Sequence, residues 1–235
     1  MGNSIYFQQP VTTIIFGRLA ATLWLVVYAG ILAGLIAVPL AILSATRRNG
    51  PIDQAIRALF MVALAMPAFW TGVVLILTLG VKVGVFPVSG FGSGFLDHLW
   101  HMFLPSLTIA LGFSAILIRS LRNSILQVLR ADYIEAARAK GLPGRNVMLR
   151  HVLRNALLPT LTIFGVNIAF LMGSTVIVEN VFALGGIGQL LVSSILQRDY
   201  AVVQGITLLL AAFVVAINLL TDVLYTVFDP RVSYD

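Results

Sequence analysis

Five long apolar runs, near Ala20–Ala45, Leu59–Leu79, Leu104–Leu121, Thr160–Val178 and Val202–Leu224, alternate with short segments where the charged residues gather. Runs of roughly 20 residues are what an α-helix needs to cross a bilayer. These are continuous, not ten-residue stretches of alternating polarity, so the pattern predicts spanning helices and not barrel strands. The expected fold class is an all-α membrane protein, a polytopic transmembrane helix bundle of about five spans. Residues 1–19 are expected to form an external N-terminal tail, 20–228 the membrane domain with an inner loop over 119–158, and 229–235 an inner tail.

Composition agrees with lipid as the solvent. Hydrophobic residues make up 59% of the chain and charged residues 10%, with a mean hydropathy of +0.99. A soluble domain carries about a quarter charged residues. The basic residues orient the bundle. Arg47, Arg48 and Arg57 lie in the 46–58 connection; Arg119, Arg122, Arg130, Arg138, Lys140, Arg145, Arg150 and Arg154 lie in the 119–158 segment; Arg231 is in the tail. Only Arg18, Lys82 and Arg198 fall on the other side. The excess of arginine and lysine on one side places those loops and the C-terminus in the cytoplasm and the N-terminus outside. The net charge of +6 follows from this bias and from attraction to anionic membrane lipid; it is no sign of nucleic-acid binding.

Chemistry is scarce. With no cysteine there is no thiol catalysis, disulfide or thiolate metal site. No G-x-x-x-x-G-K-[ST] phosphate loop occurs, so no cofactor is expected on this chain. Gly90-Phe-Gly92-Ser-Gly94 reads as a flexible external turn. Asp97, His98 and His101 share spacing that could hold a metal, but an external loop packed at the headgroups through Trp100 fits better. Inside the spans, Asn167 and Asn218 are the polar groups expected to face a pathway or to bond between helices, and Asp222 is expected near the inner interface. Gly30-x-x-x-Gly34 permits a close helix approach. The outer connection from Glu179 to Gln189, with Gly185, Gly186 and Gly188, breaks one helix and starts another. It reads as an outer gate, a docking surface or a plain hairpin.

The inner loop is the most informative segment. Asp132 followed three residues later by Glu135 is a capping-box-like start, and Gly141 is the usual left-handed stop. The enclosed helix is about eight residues, roughly 12 Å, too short to be stable alone. Ala136, Ala137 and Ala139 give it a low-relief surface that another protein's groove can approach, an ordinary amphipathic surface helix being the alternative.

Glu135-Ala136-Ala137-x-x-x-Gly141 continues through Arg154-Asn155-Ala156-Leu157-Leu158-Pro159. With Met66-Pro67-Ala68-Phe69-Trp70, Phe86-Pro87-Val88-Ser89-Gly90, Arg198-Asp199-Tyr200 and Phe228-Asp229-Pro230-Arg231, the chain resembles the permease subunit of binding-protein-dependent ABC importers. The likeness is to the dipeptide/oligopeptide/nickel type, and to the first of the two paired permeases. The resemblance implies a type I, MetI-like permease fold in a prokaryotic inner membrane. It also implies a second permease subunit, two cytoplasmic ATPase subunits or domains carrying ATP and magnesium, and an external solute-binding protein. The short helix becomes a coupling helix whose contact residues are Asp132, Glu135, Ala136, Ala137, Gly141 and Leu142, with Glu135 as its cap. Peptides are the expected solute, nickel or another small solute the alternative, and an autonomous channel or secondary transporter a weaker one. Family members usually carry one more transmembrane helix and an external segment ahead of the region matching Pro10, so the resemblance implies either a truncated subunit or one in which that helix is dispensable.

Overall fold

Backbone amides in hydrocarbon have no water to bond, so the chain closes its hydrogen bonds locally. In the computed structural model, which describes residues 2–228, every long element is accordingly a helix. The side chains at 161, 169, 170, 222 and 224–228 fall outside this description. The expected inner tail 229–235, with Arg231, and the Asp222 side chain therefore lie outside the described residues. In order the elements are α1 (Val11–Thr46), α2 (Pro51–Ala65), α3 (Ala68–Leu75) running into a π-helical stretch Ile76–Lys82, and α4 (Phe95–Val128). Then come α5 (Asp132–Ala139), α6 (Gly144–Asn146) running into a second π-helical stretch Val147–Val152, α7 (Leu153–Val181), α8 (Ile187–Leu196) and α9 (Tyr200–Phe228).

Three of these helices are long and apolar enough to cross a membrane, and counting two bent helix pairs as spans brings the number to five. Two expectations need correction. First, α1 starts at Val11 and runs for 36 residues, about 54 Å, so the second half of the stretch expected as an N-terminal tail, from Val11 on, is helix. Second, the run Leu59–Leu79 is not one straight span, because α2 and α3 meet at 106°. The cause is Pro67. Its ring pushes the preceding residue out of the helical region, and it has no N–H to continue the ladder; Met66 and Pro67 accordingly have ψ of 130° and 138°.

The spine of the bundle is the seam between α1 and α4. Ala29, Ala33, Ala37, Ala41 and Ala45 recur every fourth residue and are all buried. A stripe of small residues lets two helix backbones approach closely, which in lipid is a main source of helix affinity. The Gly30/Gly34 pair lies beside this stripe. A Cβ on Gly30 would meet the Phe164 ring at 3.3 Å, whereas Gly34 has nothing within 4 Å, so only the first glycine is at a close contact.

At the arginine-rich end the spine is fixed by a buried acid. Asp53, in the first turn of α2, is 0% exposed. Arg122 of α4 donates to it through Nε at 2.8 Å and Nη2 at 2.6 Å. Ser44 of α1 donates a further hydrogen bond, and the Asn49 N–H another at 2.9 Å. One carboxylate therefore joins α1, α2 and α4. At the opposite end Asp199, in the α8–α9 turn, does the same for the N-terminal loop. It accepts hydrogen bonds from the Ser4 hydroxyl and from the N–H groups of Tyr6, Ile5 and Val202. Burial pushes the Asp199 carboxyl up, but these bonds together outweigh it and hold it below the usual carboxylate range.

Two outcomes follow. Removing one partner of a buried ion pair strands the other, so Arg122→Met should cost about 3–5 kcal/mol in detergent unfolding; adding Asp53→Leu should restore most of it. A single variant as stable as the parent would show that the pair does not hold the seam. Because the folded-state pKa of Asp199 is lowered, its contribution is complete above the ordinary value of 3.8 and is lost as pH falls through the lower folded value. Amide protection at Ile5 and Tyr6 should therefore survive from pH 7 to 5 and decline only in stronger acid, while Asp199→Asn should weaken it at pH 7.

Candidate functional site

The short helix of the 119–158 segment forms where expected, eight residues long from Asp132 to Ala139. Its capping differs. Ala131, not Asp132, is the N-cap, and no side chain caps the helix. The register is displaced by one residue because the Ala131 carbonyl accepts the Ile134 N–H at 2.9 Å, closing the first turn with backbone alone. Asp132 and Glu135 lie in the first turn as exposed carboxylates, where they favour the positive end of the helix dipole. The stop is as expected. Gly141 has φ of +77°, its N–H bonds the Arg138 carbonyl at 2.9 Å, and the Leu142 N–H bonds the Ala137 carbonyl at 3.4 Å. That pairing is a Schellman motif.

Two residues of α5 point inward. Ile134 is 0% exposed and Ala137 is 8% exposed. They sit in an apolar cluster made by Ala41 and Ala45 of α1, Leu121 and Ile125 of α4, Val147 and Val152, and Ala156 of α7. A helix this short gets its stability from such anchoring, not from its own turns. The opposite face, with Tyr133, Glu135, Ala136, Ala139 and Lys140, and the following Gly141 and Leu142, is exposed. Ala137 is thus a foot of the rod; Ala136 and Ala139 form its low-relief outer surface. Tyr133 is tied to α7 by Asn155 Nδ2, which donates to its hydroxyl at 3.2 Å.

At the other end of the bundle the glycines of the 179–189 connection have a clear cause. Glu179, on α7 and 0% exposed, turns its carboxylate onto the start of α8. It accepts the Gln189 N–H at 3.0 Å, the Gly188 N–H, and the Thr22 hydroxyl of α1 at 2.6 Å. Thr22 Oγ1 in turn accepts the Ile187 N–H at 2.9 Å. All three N–H groups of the first turn of α8 are thereby satisfied, which an unsupported helix start cannot achieve. A Cβ on Gly186 would lie 2.5 Å from the Glu179 carboxylate, and one on Gly188 would lie 2.5 Å from the Val176 Cα. Gly185, at φ +71°, turns the chain into this start. Sequence reading picked out the glycines but missed Glu179 and Thr22. The available signal was a lone acid at the edge of an apolar run.

Asn167 and Asn218 are not brought together. Asn167 of α7 lines a cavity of about 240 Å³ beside the α2–α3 break, with Thr71, Thr108 and Ser174. Its amide donates to the Ile163 carbonyl at 2.8 Å. Asn218 is exposed on α9 and does not line that cavity. The 83–94 loop is more packed than a flexible turn would be. The Gly90 N–H bonds the Phe182 carbonyl at 3.1 Å, and Phe86 packs between Trp100 and Phe103 with centroids 4.6 Å apart in each pair. His98 stacks on Phe91 at 3.9 Å, while His101 Nδ1 lies 3.1 Å from Asp97. Among the described residues no group of three or more acids, histidines or cysteines could hold a metal.

Comparison with known proteins adds the context. Residues 37–234 match the family described as "Binding-protein-dependent transport system inner membrane component". The oligopeptide transport system permease protein AppB of Bacillus subtilis is 42% identical over 99% of this chain and 76% of its own length. The glutathione transport system permease protein GsiC of Pectobacterium atrosepticum is 38% identical, covering 100% and 75% respectively. The dipeptide transport system permease protein DppB of Escherichia coli is 34% identical, covering 100% and 77%. Among solved structures, an inward-facing conformation of the MetNI methionine ABC transporter matches with a TM-score of 0.79 at 19% identity, over 94% of this chain and 98% of that one. A match at that identity speaks for the fold alone, and the fold is the MetI-like one that the resemblance implied.

The crowding around Gly188 generates a prediction. Gly188→Ala sets a methyl group against backbone and should displace the start of α8, read as faster amide exchange at residues 187–189. Gly185→Ala meets no atom within 4 Å and carries only the strain of its left-handed backbone, about 1 kcal/mol. Equal effects of the two substitutions would contradict the packing described.

Proposed function

The chain belongs to the family of binding-protein-dependent transport system inner membrane components, and on that footing we propose that it forms half of the membrane pathway of an ATP-driven importer of di- or oligopeptides. A second permease subunit supplies the other half. An external solute-binding protein delivers the peptide, and two cytoplasmic ATPase subunits or domains bind ATP and magnesium. The peptide names of the relatives support that solute class over nickel.

The observation that carries this reading is the way α5 is held. Its outer face, Glu135, Ala136, Ala139 and Lys140 with Gly141 and Leu142 beyond, is free to enter a groove on another protein, while Ile134 and Ala137 stand in a cluster shared by α1, α4 and α7. Because packed interiors resist compression, a push on the rod is passed to those three helices together. Closure of the ATPase pair then becomes a rigid-body rocking of the permeases, the kind of motion by which alternating access works.

In this reading the cavity beside the α2–α3 break is part of the pathway. Asn167, Thr71, Thr108 and Ser174 offer a weakly polar wall against which a peptide backbone bonds briefly and leaves. At the far end, Gly185, Gly186 and Gly188 shape an outer gate element whose helix α8 is pinned by Glu179 and Thr22 and so moves with α7 and α1. The autonomous channel has less support, since a self-sufficient transporter has no use for an anchored rod with a bare outer face.

Substitution on that bare face is the test. Ala136→Arg leaves both inward anchors in place and should lower co-purification of the cognate ATPase at least tenfold without changing the amount of chain in the membrane. Ala136→Ser should bind as the parent does. Undiminished ATPase binding by the arginine variant would refute the coupling role.

A further inference from the structure

Between α2 and α4, at the arginine-rich end, lies an open groove of about 380 Å³. Its wall is apolar, formed by Phe60, Met61 and Leu64 of α2 and Ala115 and Ile118 of α4. Its rim carries Arg57, Arg119, Arg122 and Asn123. The two helices run in opposite directions here, since Asp53 pairs with Arg122, so the cations cluster at one end and Leu64 faces the other. From Arg57 to Leu64 the groove runs for about 10 Å, around two-thirds of the roughly 15 Å of hydrocarbon in one leaflet.

The charges do not cancel. Arg122 is committed to Asp53 by two hydrogen bonds. Arg57 reaches the same carboxylate only at 3.6 Å, and its side chain is 50% exposed. Arg119 is exposed and makes no ion pair among the described residues. Among the described residues no acid lines the groove and Asp53 is the one acid paired with its rim arginines, so the groove mouth keeps an excess of two positive charges above an apolar wall. Arg119 and Asn123 stand one turn apart on α4 and so present donors on one face, with Arg57 opposite.

We propose that this groove binds one anionic phospholipid, the headgroup phosphate held by Arg57, Arg119 and Asn123 and an acyl chain lying along Met61, Leu64 and Ile118. An apolar helix of another protein would fill the wall but leave the arginines to be desolvated without a partner. A small anion would satisfy the arginines and leave the wall bare. A phospholipid answers both ends, and arginine's forked donors suit its phosphate oxygens. The assignment rests on the membrane setting and not on the identity of the solute, although Leu64 also borders the cavity beside the α2–α3 break.

Native mass spectrometry of the full-length chain tests it, after exchange into detergent with equal amounts of dioleoylphosphatidylglycerol or dioleoylphosphatidylcholine. The parent should retain the phosphatidylglycerol at least tenfold better, with one molecule bound most tightly. Arg57→Gln with Arg119→Gln should abolish that preference, and Met61→Gln with Leu64→Gln, both at exposed positions, should weaken retention of the same lipid. All four positions leave the Asp53–Arg122 pair intact, and unfolding in phosphatidylcholine reports on the fold. Equal retention of the two lipids by the parent, a measurement that needs no variant, overturns the proposal, as does undiminished retention by the arginine variant. Displacement of the lipid by equimolar inorganic phosphate would make the rim an anion site only, and its loss on assembly with the second permease would make the groove a subunit contact. Either result also overturns the assignment.

Discussion

A carboxylate taken out of water costs several kcal/mol unless its lone pairs are met, and Asp53, Glu179 and Asp199, three of the six acids whose side chains are described, are all but fully buried. Each is met differently: Asp53 by a forked arginine, Glu179 by a helix start and a hydroxyl, Asp199 by loop amides and a hydroxyl. In lipid, apolar side chains distinguish poorly between one helix register and another, because lipid tails are as apolar as the partner helix. The polar attachments do the selecting. Helix α1 is held by Ser44 at one end and Thr22 at the other, 22 residues or about 33 Å apart, close to the thickness of the hydrocarbon itself. Its alanine stripe can then lie against α4 in one register only.

That arrangement gives the bundle a separately fixed helix start or short helix at each end. At the arginine-rich end, α5 stands on a cluster that α1, α4 and α7 share; at the opposite end, the start of α8 is bonded to α1 and α7. The same two helices therefore border both ends, α1 as one long helix and α7 with a 54° bend between Ile168 and Leu171. The α2–α3 pair stands apart from this. It is broken at Met66–Pro67 and borders the cavity at Asn167, placing the helix break next to the polar groups of the pathway proposed above.

Much of this was legible in the residues. The five runs located the spans, and Asp132 and Gly141 bounded the short helix to within one residue. The cap was misplaced because an acid in the first turn has the same favourable electrostatics at either of two adjacent positions. The 106° break was written in Pro67 but hidden by the unbroken hydropathy around it. The alanine stripe was invisible for a related reason: in a helix apolar on every side, periodicity carries no contrast. Asp53 and Arg122 lie 69 residues apart, and no local pattern joins them. Glu179 stood in plain view, yet the glycines beside it drew attention because their backbone requirement is local, while its partners Thr22 and Gln189 come from separate elements.

The central claim is that α5 is an inward-facing rod held by a nucleotide-binding partner. The chain has no cysteine, so a single Ala136→Cys is a clean probe for a membrane-impermeant maleimide. Labelling should occur in inside-out vesicles, be absent in right-side-out ones, and fall when the ATPase is bound. Labelling from the outer side, or labelling that the ATPase leaves unchanged, would contradict the account.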